Sequence, residues 1–175
     1  MPFTTYYTAS SLDGFIADAE HSLDWLLTRK NDGSGPMGYE LFIAEIGAIV
    51  MGANTYQWLL DNEPGPWPYT VPVWVVTHRE FEPRPEHDIR FTSAPIPAIH
   101  QQMAAAAGDK KLWVVGGGGL AAEFAEHGLL DEIIVSFAPV TLGSGAPMFP
   151  VRQELRAVET ALNGELVCAR FEVVK

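Results

Sequence analysis

The residues best suited to chemistry follow one another as a strand, a glycine run and a helix. An apolar stretch at Lys111–Val115 leads into Gly116, Gly117, Gly118 and Gly119, and Leu120 opens the helical pattern. Glycines let the backbone come close to a pyrophosphate, and the N–H groups at the start of the helix point toward its oxygens. The pattern therefore predicts a phosphate-binding turn. The alternative is a tight turn that only packs helix against strand, a purpose that glycine also serves.

The same glycines match the residue pattern of the Rossmann dinucleotide fingerprint, but the sequence that follows them does not. Gly116, Gly118 and Ala121 satisfy G-x-G-x-x-A. That fingerprint expects an acidic residue about 20 positions later, at the end of the next strand. Here the strand at Ile133–Phe137 ends in alanine and proline, and its acidic residues come before it. An ordinary Rossmann site is therefore not expected.

A second strand, glycine and helix succession lies earlier in the chain. Gly52 follows the apolar Val50 and Met51, and Asn54 and Thr55 come next, where their side chains can cap a helix and bond a phosphate. A plain helix cap is the alternative.

A third group follows the β-branched strand at Val73–Thr77. Thr77, His78 and Arg79 combine a hydroxyl, an imidazole and a guanidinium at the carboxyl end of that strand. Ligands bind at this edge of open α/β sheets, and arginine can pair with a phosphate through two hydrogen bonds. The group predicts an anion clamp, with a solvated loop arginine as the alternative.

The elements that must position these groups alternate between strands and helices. Strands are expected at 3–10, 48–51, 73–77, 89–92, 111–115 and 133–138, and helices at 37–45, 54–61, 96–107 and 120–127. Asn163-Gly164 joins two terminal strands and is a strong hairpin signal. This order predicts a three-layer α/β/α fold, with a mostly parallel sheet and an antiparallel edge hairpin at the carboxyl terminus. Residues 18–37 mix polar, glycine and apolar positions and suggest a mobile, lid-like segment.

Composition limits the kinds of ligand. The 175 residues carry a formal net charge of −11, which disfavours nucleic acid because such binding depends on lysine and arginine. One domain over 1–175, a cytoplasmic location without a membrane segment, and a small-molecule ligand are expected. The single cysteine, Cys168, is expected to be a buried apolar side chain. The five histidines show no metal-ligand spacing, so no metal is expected.

Taken together and in order, these segments resemble the dihydrofolate reductase superfamily, and specifically stand-alone relatives of the reductase domain of bacterial riboflavin biosynthesis. The shared segments are Ala9 to Ala17 (ASSLDGFIA), Met51 to Tyr56 (MGANTY), Val76 to Arg79 (VTHR), Gly116 to Leu120, Gly128 to Glu132 (GLLDE) and Pro139 to Gly143 (PVTLG).

This resemblance implies how a cofactor would lie. Ala9 and Ile16 would flank a nicotinamide, and Gly52 and Thr55 would hold the pyrophosphate together with the glycine run. The segment from Thr77 through Arg79 would receive the adenosine 2′-phosphate, which favours NADPH over NADH. The implied activity is that of a reductase similar to 5-amino-6-(5-phosphoribosylamino)uracil reductase.

Three departures from the resembled pattern bear on the substrate. Ala53 stands where dihydrofolate reductases carry a basic residue, so that one phosphate contact is missing and Arg79 must suffice. Val115 stands where riboflavin reductases carry a glutamate. No carboxylate in residues 36–40 aligns with the one that binds the pterin ring in dihydrofolate reductases.

Hydride transfer to a C=N or C=O bond also needs a proton donor. Asp24, Asp32 and Glu40 are the carboxylates nearest the expected substrate side. Each has a simpler interpretation as an exposed charge on a loop or helix.

The leading hypothesis is therefore an NADPH-dependent oxidoreductase of a small heterocyclic, carbonyl or imine substrate. A dinucleotide-binding protein without turnover is the rival, motivated by Ala53 and by the missing acid. A true riboflavin-pathway reductase or dihydrofolate reductase is a third possibility. A homodimer is expected, because the related reductase domains pair and the terminal hairpin leaves a sheet edge to cover.

Overall fold

An eight-stranded sheet organises the chain, for which the computed structural model describes residues 2–63 and 65–175. Its strand order is β5-β4-β3-β6-β1-β7-β10-β9. The strands are β1 (Thr4–Ser11), β3 (Ile46–Gly52), β4 (Val73–Val76), β5 (Ile89–Thr92), β6 (Lys111–Gly116), β7 (Glu132–Ala138), β9 (Leu155–Asn163) and β10 (Leu166–Val173). β10 runs antiparallel to β7 and β9, and the other pairings in this sheet are parallel.

Helices cover both faces of this sheet, because successive side chains of each central strand point to opposite sides. The helices are α1 (Asp24–Leu27), α2 (Tyr39–Ile43), α3 (Ala53–Asn62), α4 (Ile96–Ala107) and α5 (Gly118–Glu126). Val50 packs with α4 and α5, whereas its neighbours Ile49 and Met51 pack with α2 and α3. The predicted three-layer fold with an antiparallel edge is confirmed.

The connections that leave β3 and β6 run in opposite directions across the sheet. From β3 the chain passes through α3 to β4, toward one edge, and from β6 it passes through α5 over β1 to β7, toward the other edge. Since β3 and β6 are parallel neighbours, a gap opens between their carboxyl ends. This gap, here called the switch-point crevice, is where ligands bind in open α/β sheets.

A small ribbon closes one side of the crevice. β2 (Phe15–Ala17) pairs with β8 (Ala146–Pro147), two short strands that the sequence analysis did not predict. The Asp13 carboxylate fixes the loop between β7 and β8, accepting hydrogen bonds from the N–H groups of Leu142 (3.0 Å) and Gly143 (2.8 Å). A hydrogen bond from the Ser11 hydroxyl, together with these two backbone bonds, lowers the pKa of Asp13 to about 2.

The segment expected to be a mobile lid is held in place along its second half. The Asn163 side chain accepts a hydrogen bond from the Asp32 N–H (2.7 Å) and donates to the carbonyl oxygens of Asp32 and Pro36. The Glu165 N–H donates to the Lys30 carbonyl oxygen (2.8 Å). Residues 30–36 are thus docked on the β9–β10 hairpin, and the mobility expected of residues 18–37 stays a prediction. The sequence did not show that the hairpin tip would fold against it.

The hairpin turn itself lies one residue beyond the predicted Asn163-Gly164 dipeptide. Asn163 pairs with Leu166, which leaves Gly164 and Glu165 as the two-residue loop. Gly164 has a φ of +59°, the left-handed conformation that a type II′ hairpin requires at its first loop position. Asn163 is therefore the last residue of β9, and its side chain forms hydrogen bonds with residues 32 and 36.

Cys168 is buried on β10, as expected, and its thiol lies 3.3 Å from the Ser136 hydroxyl. Across residues 2–63 and 65–175, no helix combines the length and apolar character needed to cross a bilayer. The cytoplasmic location stays a prediction.

Candidate functional site

Two helix N-termini meet at the switch-point crevice. In the register between β3 and β6, Met51 lies opposite Gly116, so that α3 and α5 begin side by side at the same edge. The N-cap residues are Gly52 and Gly117, which have no side chain to cap the helix. The first N–H groups of an α-helix have no partner within the helix. Both sets are therefore available to an anion in the crevice, with two helix dipoles behind them.

The glycine run lies against the other residues that the resemblance assigns to the cofactor. A Cβ atom on Gly116 would lie 3.4 Å from the Thr55 hydroxyl oxygen, and one on Gly117 would lie 3.7 Å from Cδ1 of Ile16. The peptide bond between Gly116 and Gly117 is cis. Segments that are 101 residues apart in the chain, at Ile16 and at Gly117, thus form one surface.

Gly118 and Gly119 differ in what their missing side chains allow. A Cβ atom on Gly118 would collide with the carbonyl oxygens of Pro147, at 2.5 Å, and of Met148. The Tyr6 hydroxyl holds that segment from the core side by donating to the Met148 carbonyl oxygen (2.9 Å). A Cβ atom on Gly119 would meet nothing within 4 Å. Gly118 is therefore required for packing, whereas the space beside Gly119 is open to a ligand.

Arg79 reaches α3 from the end of the neighbouring strand β4. Its guanidinium donates a hydrogen bond to the Asn54 side-chain oxygen (2.6 Å), and its backbone N–H donates to the Thr77 hydroxyl (2.8 Å). Arg79 and Asn54 are both exposed, as is His78. The cation thus lies beside the N-terminus of α3, next to Ala53, where the sequence lacks a basic residue.

The three carboxylates considered as proton donors lie in different surroundings. Asp24 is exposed in α1 and lines a cavity that also contains Asn54. The Asp32 carboxylate accepts hydrogen bonds from the N–H (2.9 Å) and hydroxyl (2.8 Å) of Ser34, which lower its pKa and so disfavour the protonated form. Glu40, in the first turn of α2, packs against Gly33. The structure does not bring the three together.

The chain matches the RibD C-terminal domain over residues 2–170. It belongs to the RibD C-terminal domain family. The resemblance drawn from its motifs is therefore confirmed, and the sheet and helices described above are the dihydrofolate reductase-like fold of such domains.

Among solved structures, this RibD-type chain is similar to a putative riboflavin biosynthesis protein from Shewanella, with 25% identity, a TM-score of 0.85 and 99% of both chains covered. It also resembles the diaminohydroxyphosphoribosylaminopyrimidine deaminase/5-amino-6-(5-phosphoribosylamino)uracil reductase of Thermotoga maritima, at 18% identity and a TM-score of 0.71. There it covers 99% of its own length and 57% of the two-function protein, a likeness of fold.

Two proteins of Bacillus subtilis are related in sequence. YwjB is 30% identical over 146 residues, which cover 83% of this chain and 82% of YwjB. YyaP is 29% identical over 153 residues, covering 81% of this chain and 77% of YyaP. Both are described as uncharacterized, so they support the family without supplying a substrate.

Two residues of this RibD-type site were not predicted from the sequence. Asp13 lay within the shared segment Ala9 to Ala17 without an assigned role, although its carboxylate fixes the loop between β7 and β8. Trp58 had no assigned role either, although it lines the same cavity as Asp24. The dipeptide Asp13-Gly14 is a turn signal, whereas no local pattern singles out Trp58.

Proposed function

We propose that this protein is an NADPH-dependent reductase of a small planar substrate with a C=N or C=O bond. The observation that carries the proposal is the pair of glycine-capped N-termini, of α3 and α5, at a single switch-point crevice. Each offers N–H donors to one phosphate of a pyrophosphate. The donor set and the open space beside Gly119 fit a dinucleotide without any metal.

Arg79 supports the choice of NADPH over NADH. It is an exposed cation at the end of β4, flanked by the Thr77 hydroxyl and by His78, and these groups suit the additional 2′-phosphate of NADPH. Its hydrogen bond to Asn54 also offsets the missing basic residue at Ala53, because the charge stands beside the N-terminus of α3.

Bound NADPH supplies the hydride, and the residues of the chain bind and orient it. We assign Ala9 and Ile16 to the nicotinamide, since Ile16 faces Gly117 in the glycine run. Among the three candidate acids, we assign the proton to Asp24, because it lies in a cavity that includes the first turn of α3. Asp32 is the weaker choice, since its hydrogen bonds favour the carboxylate.

A titration with NADPH and NADH, followed by tryptophan fluorescence, tests the cofactor. Arg79→Ala is expected to weaken NADPH binding about 10- to 100-fold, the value of a charge-assisted phosphate contact, and to leave NADH binding within about twofold. Arg156→Ala is the matched control, because Arg156 pairs with Glu172 at the opposite end of the sheet.

Equal loss for both nucleotides would place Arg79 outside the 2′-phosphate site. If neither nucleotide binds, the reductase proposal is wrong. If NADPH binds but is not oxidised by any imine, quinone or pterin acceptor, the protein is a dinucleotide-binding protein without turnover.

We also propose a homodimer in which a second copy covers the outer edge of β9. Leu155, Val158 and Leu162 are exposed on this strand, and Leu162 is 71% exposed. An apolar, unpaired edge strand is a site for pairing with another chain. Light scattering is expected to give the mass of a dimer for the unmodified chain and of a monomer for Val158→Lys/Leu162→Lys. A monomeric unmodified chain would contradict this.

A further inference from the structure

The segment of residues 139–148, which contains β8, has no role in the cofactor assignment made above. It lies between two surfaces of the proposed site, β2 and the N-terminus of α5. On one side, the Met148 N–H donates a hydrogen bond to the Gly14 carbonyl oxygen (2.9 Å). On the other side, the Met148 carbonyl oxygen is the atom that a Cβ on Gly118 would overlap. One residue of the segment thus joins both surfaces.

The 139–148 segment also determines where Ile16 lies. Ala17 of β2 pairs with β8 across the two-stranded ribbon. Gly145 packs so closely on this ribbon that a Cβ atom there would overlap the Ala17 carbonyl oxygen. Ile16 precedes Ala17 in the same strand, and its Cδ1 atom lies 3.7 Å from the position of a Cβ on Gly117. A shift of the segment would therefore move Ile16 relative to the glycine run.

Two side chains hold the segment in place. The hydroxyl of Tyr6, a fully buried residue of β1, donates a hydrogen bond to the Met148 carbonyl oxygen (2.9 Å). Burial raises the pKa of Tyr6, so that the hydroxyl keeps its proton and remains a donor. Nearer the beginning of the segment, the Asp13 carboxylate accepts hydrogen bonds from the N–H groups of Leu142 and Gly143. The segment is thus fixed at two points by residues outside it.

The group assigned to the 2′-phosphate is held separately. Arg79 donates hydrogen bonds to the side chains of Asn54 (2.6 Å) and Thr77 (2.8 Å). Among the described residues, none of these three forms a hydrogen bond with the 139–148 segment. Because Arg79 lies beside α3, the phosphate at α5 would be the one that carries the nicotinamide. A displaced segment should therefore change the nicotinamide half of the site and spare the adenosine half.

From these contacts we propose that Tyr6 and Asp13 are positioning residues, which hold the 139–148 segment and through it the nicotinamide half of the cofactor site. The inference rests on the proposed function and adds to it two residues that act through others. Hydride transfer depends steeply on the distance and orientation of the reacting atoms, so a displaced nicotinamide lowers the rate as well as the affinity. Because both side chains act on one segment, their effects are coupled.

Tyr6→Phe tests this role, because it removes one oxygen atom and leaves the Met148 carbonyl without its donor. Calorimetric titration is expected to show about tenfold weaker binding of NADPH, the value of one hydrogen bond. Binding of adenosine 2′,5′-bisphosphate, which contains the 2′-phosphate but no nicotinamide, should stay within about twofold of the unmodified chain. The ratio of the two dissociation constants separates a change in the nicotinamide half from a general loss of structure.

Tyr7→Phe is the matched control, because it removes the same kind of bond from the next residue of β1. The Tyr7 hydroxyl donates to the Met37 carbonyl oxygen (2.8 Å), on the opposite face of the sheet. Urea denaturation is expected to show a similar loss of stability in both variants. Only Tyr6→Phe should change the ratio of the two dissociation constants.

Asp13→Asn tests the same segment from an exposed residue, so the test stands even if the buried substitution prevents folding. NADPH binding is expected to weaken about threefold to fivefold, again without a change for adenosine 2′,5′-bisphosphate. The double variant Tyr6→Phe/Asp13→Asn should lose less NADPH affinity than the product of the two single losses, because substitutions that shift the same backbone are not additive.

An unchanged ratio of dissociation constants in Tyr6→Phe and Asp13→Asn would overturn the inference, because their effects would then be general. The same change of ratio in Tyr7→Phe would also overturn it, and so would a double variant that loses the full product. If the unmodified chain binds neither NADPH nor adenosine 2′,5′-bisphosphate, the proposed function is wrong instead.

Discussion

The two ends of the parallel strands are built in opposite ways. At the amino end, Thr4 and Thr5 are fully buried and their polar groups are satisfied by the chain itself, through the carboxylates of Asp131 (2.8 Å) and Glu132 (2.9 Å). Lys175 closes this end by pairing with Asp131 (2.5 Å). At the carboxyl end, glycines stand at two helix starts and an arginine is exposed.

Under the proposed function, this difference separates stability from binding within one sheet. Buried polar groups are costly unless paired, so the amino end is closed by partners from its own chain. At the carboxyl end, the first N–H groups of α3 and α5 have no partner within their own helices, and under the proposed function a ligand takes the partner's place. Substitutions at the two ends should therefore have separable effects.

Gly118→Ala is expected to cause the largest loss of stability, because Gly118 both packs against the backbone near β8 and begins the helix of the proposed binding site. Its Cβ would overlap the Met148 and Pro147 carbonyl oxygens, and a shift of that backbone should lower the free energy of unfolding by about 3 kcal/mol. NADPH binding should fall with it. Gly119→Ala is the control, since the space there is empty, and its unfolding free energy should stay within about 1 kcal/mol. Urea denaturation measures both, and similar losses in the two variants would contradict the assignment.

Thr5→Val tests the amino end of the strands, where a substitution should lower stability without changing cofactor binding. It removes the hydroxyl that donates to the buried Glu132 carboxylate and should cost about 2 kcal/mol of stability, with NADPH affinity unchanged. Thr70→Val, at an exposed position before β4, serves as the control and should change little. Any loss of cofactor binding without loss of stability would show that the two ends are coupled.

Asp13→Asn should give a smaller effect that depends on pH. The pKa of Asp13 is lowered from its usual 3.8 to about 2, so its carboxylate stabilises the fold fully above the usual value and loses this contribution as pH falls toward 2. The melting temperature of the variant should therefore be lower than that of the unmodified chain at pH 7, and the gap should narrow between pH 4 and pH 2. A gap that is constant over this range would mean that charge is not the cause.

Most strands and helices of the fold could be predicted from local sequence patterns. The run from Lys111 to Leu120 predicts a strand, a turn and a helix. Each is favoured by the residue types within a few positions: β-branched and apolar residues, then glycine, then helix formers. The short strands β2 and β8 gave no such signal, because each is three residues or fewer and forms only through its partner. The terminal hairpin was placed correctly except for a shift of one residue, since Gly164 has the positive φ at the first loop position.

The sequence by itself determined the order of strand–glycine–helix units and the family to which the chain belongs, and it predicts that these units bind an anion. Only the tertiary structure decided that Arg79 reaches Asn54, that residues 30–36 dock on the hairpin, and that acidic side chains from two distant segments line one cavity. The physical reason is the separation in sequence between the residues that interact. Backbone conformation and helix capping are set by neighbours in the chain, whereas the charge of a cavity is the sum over side chains that meet only when the sheet has formed.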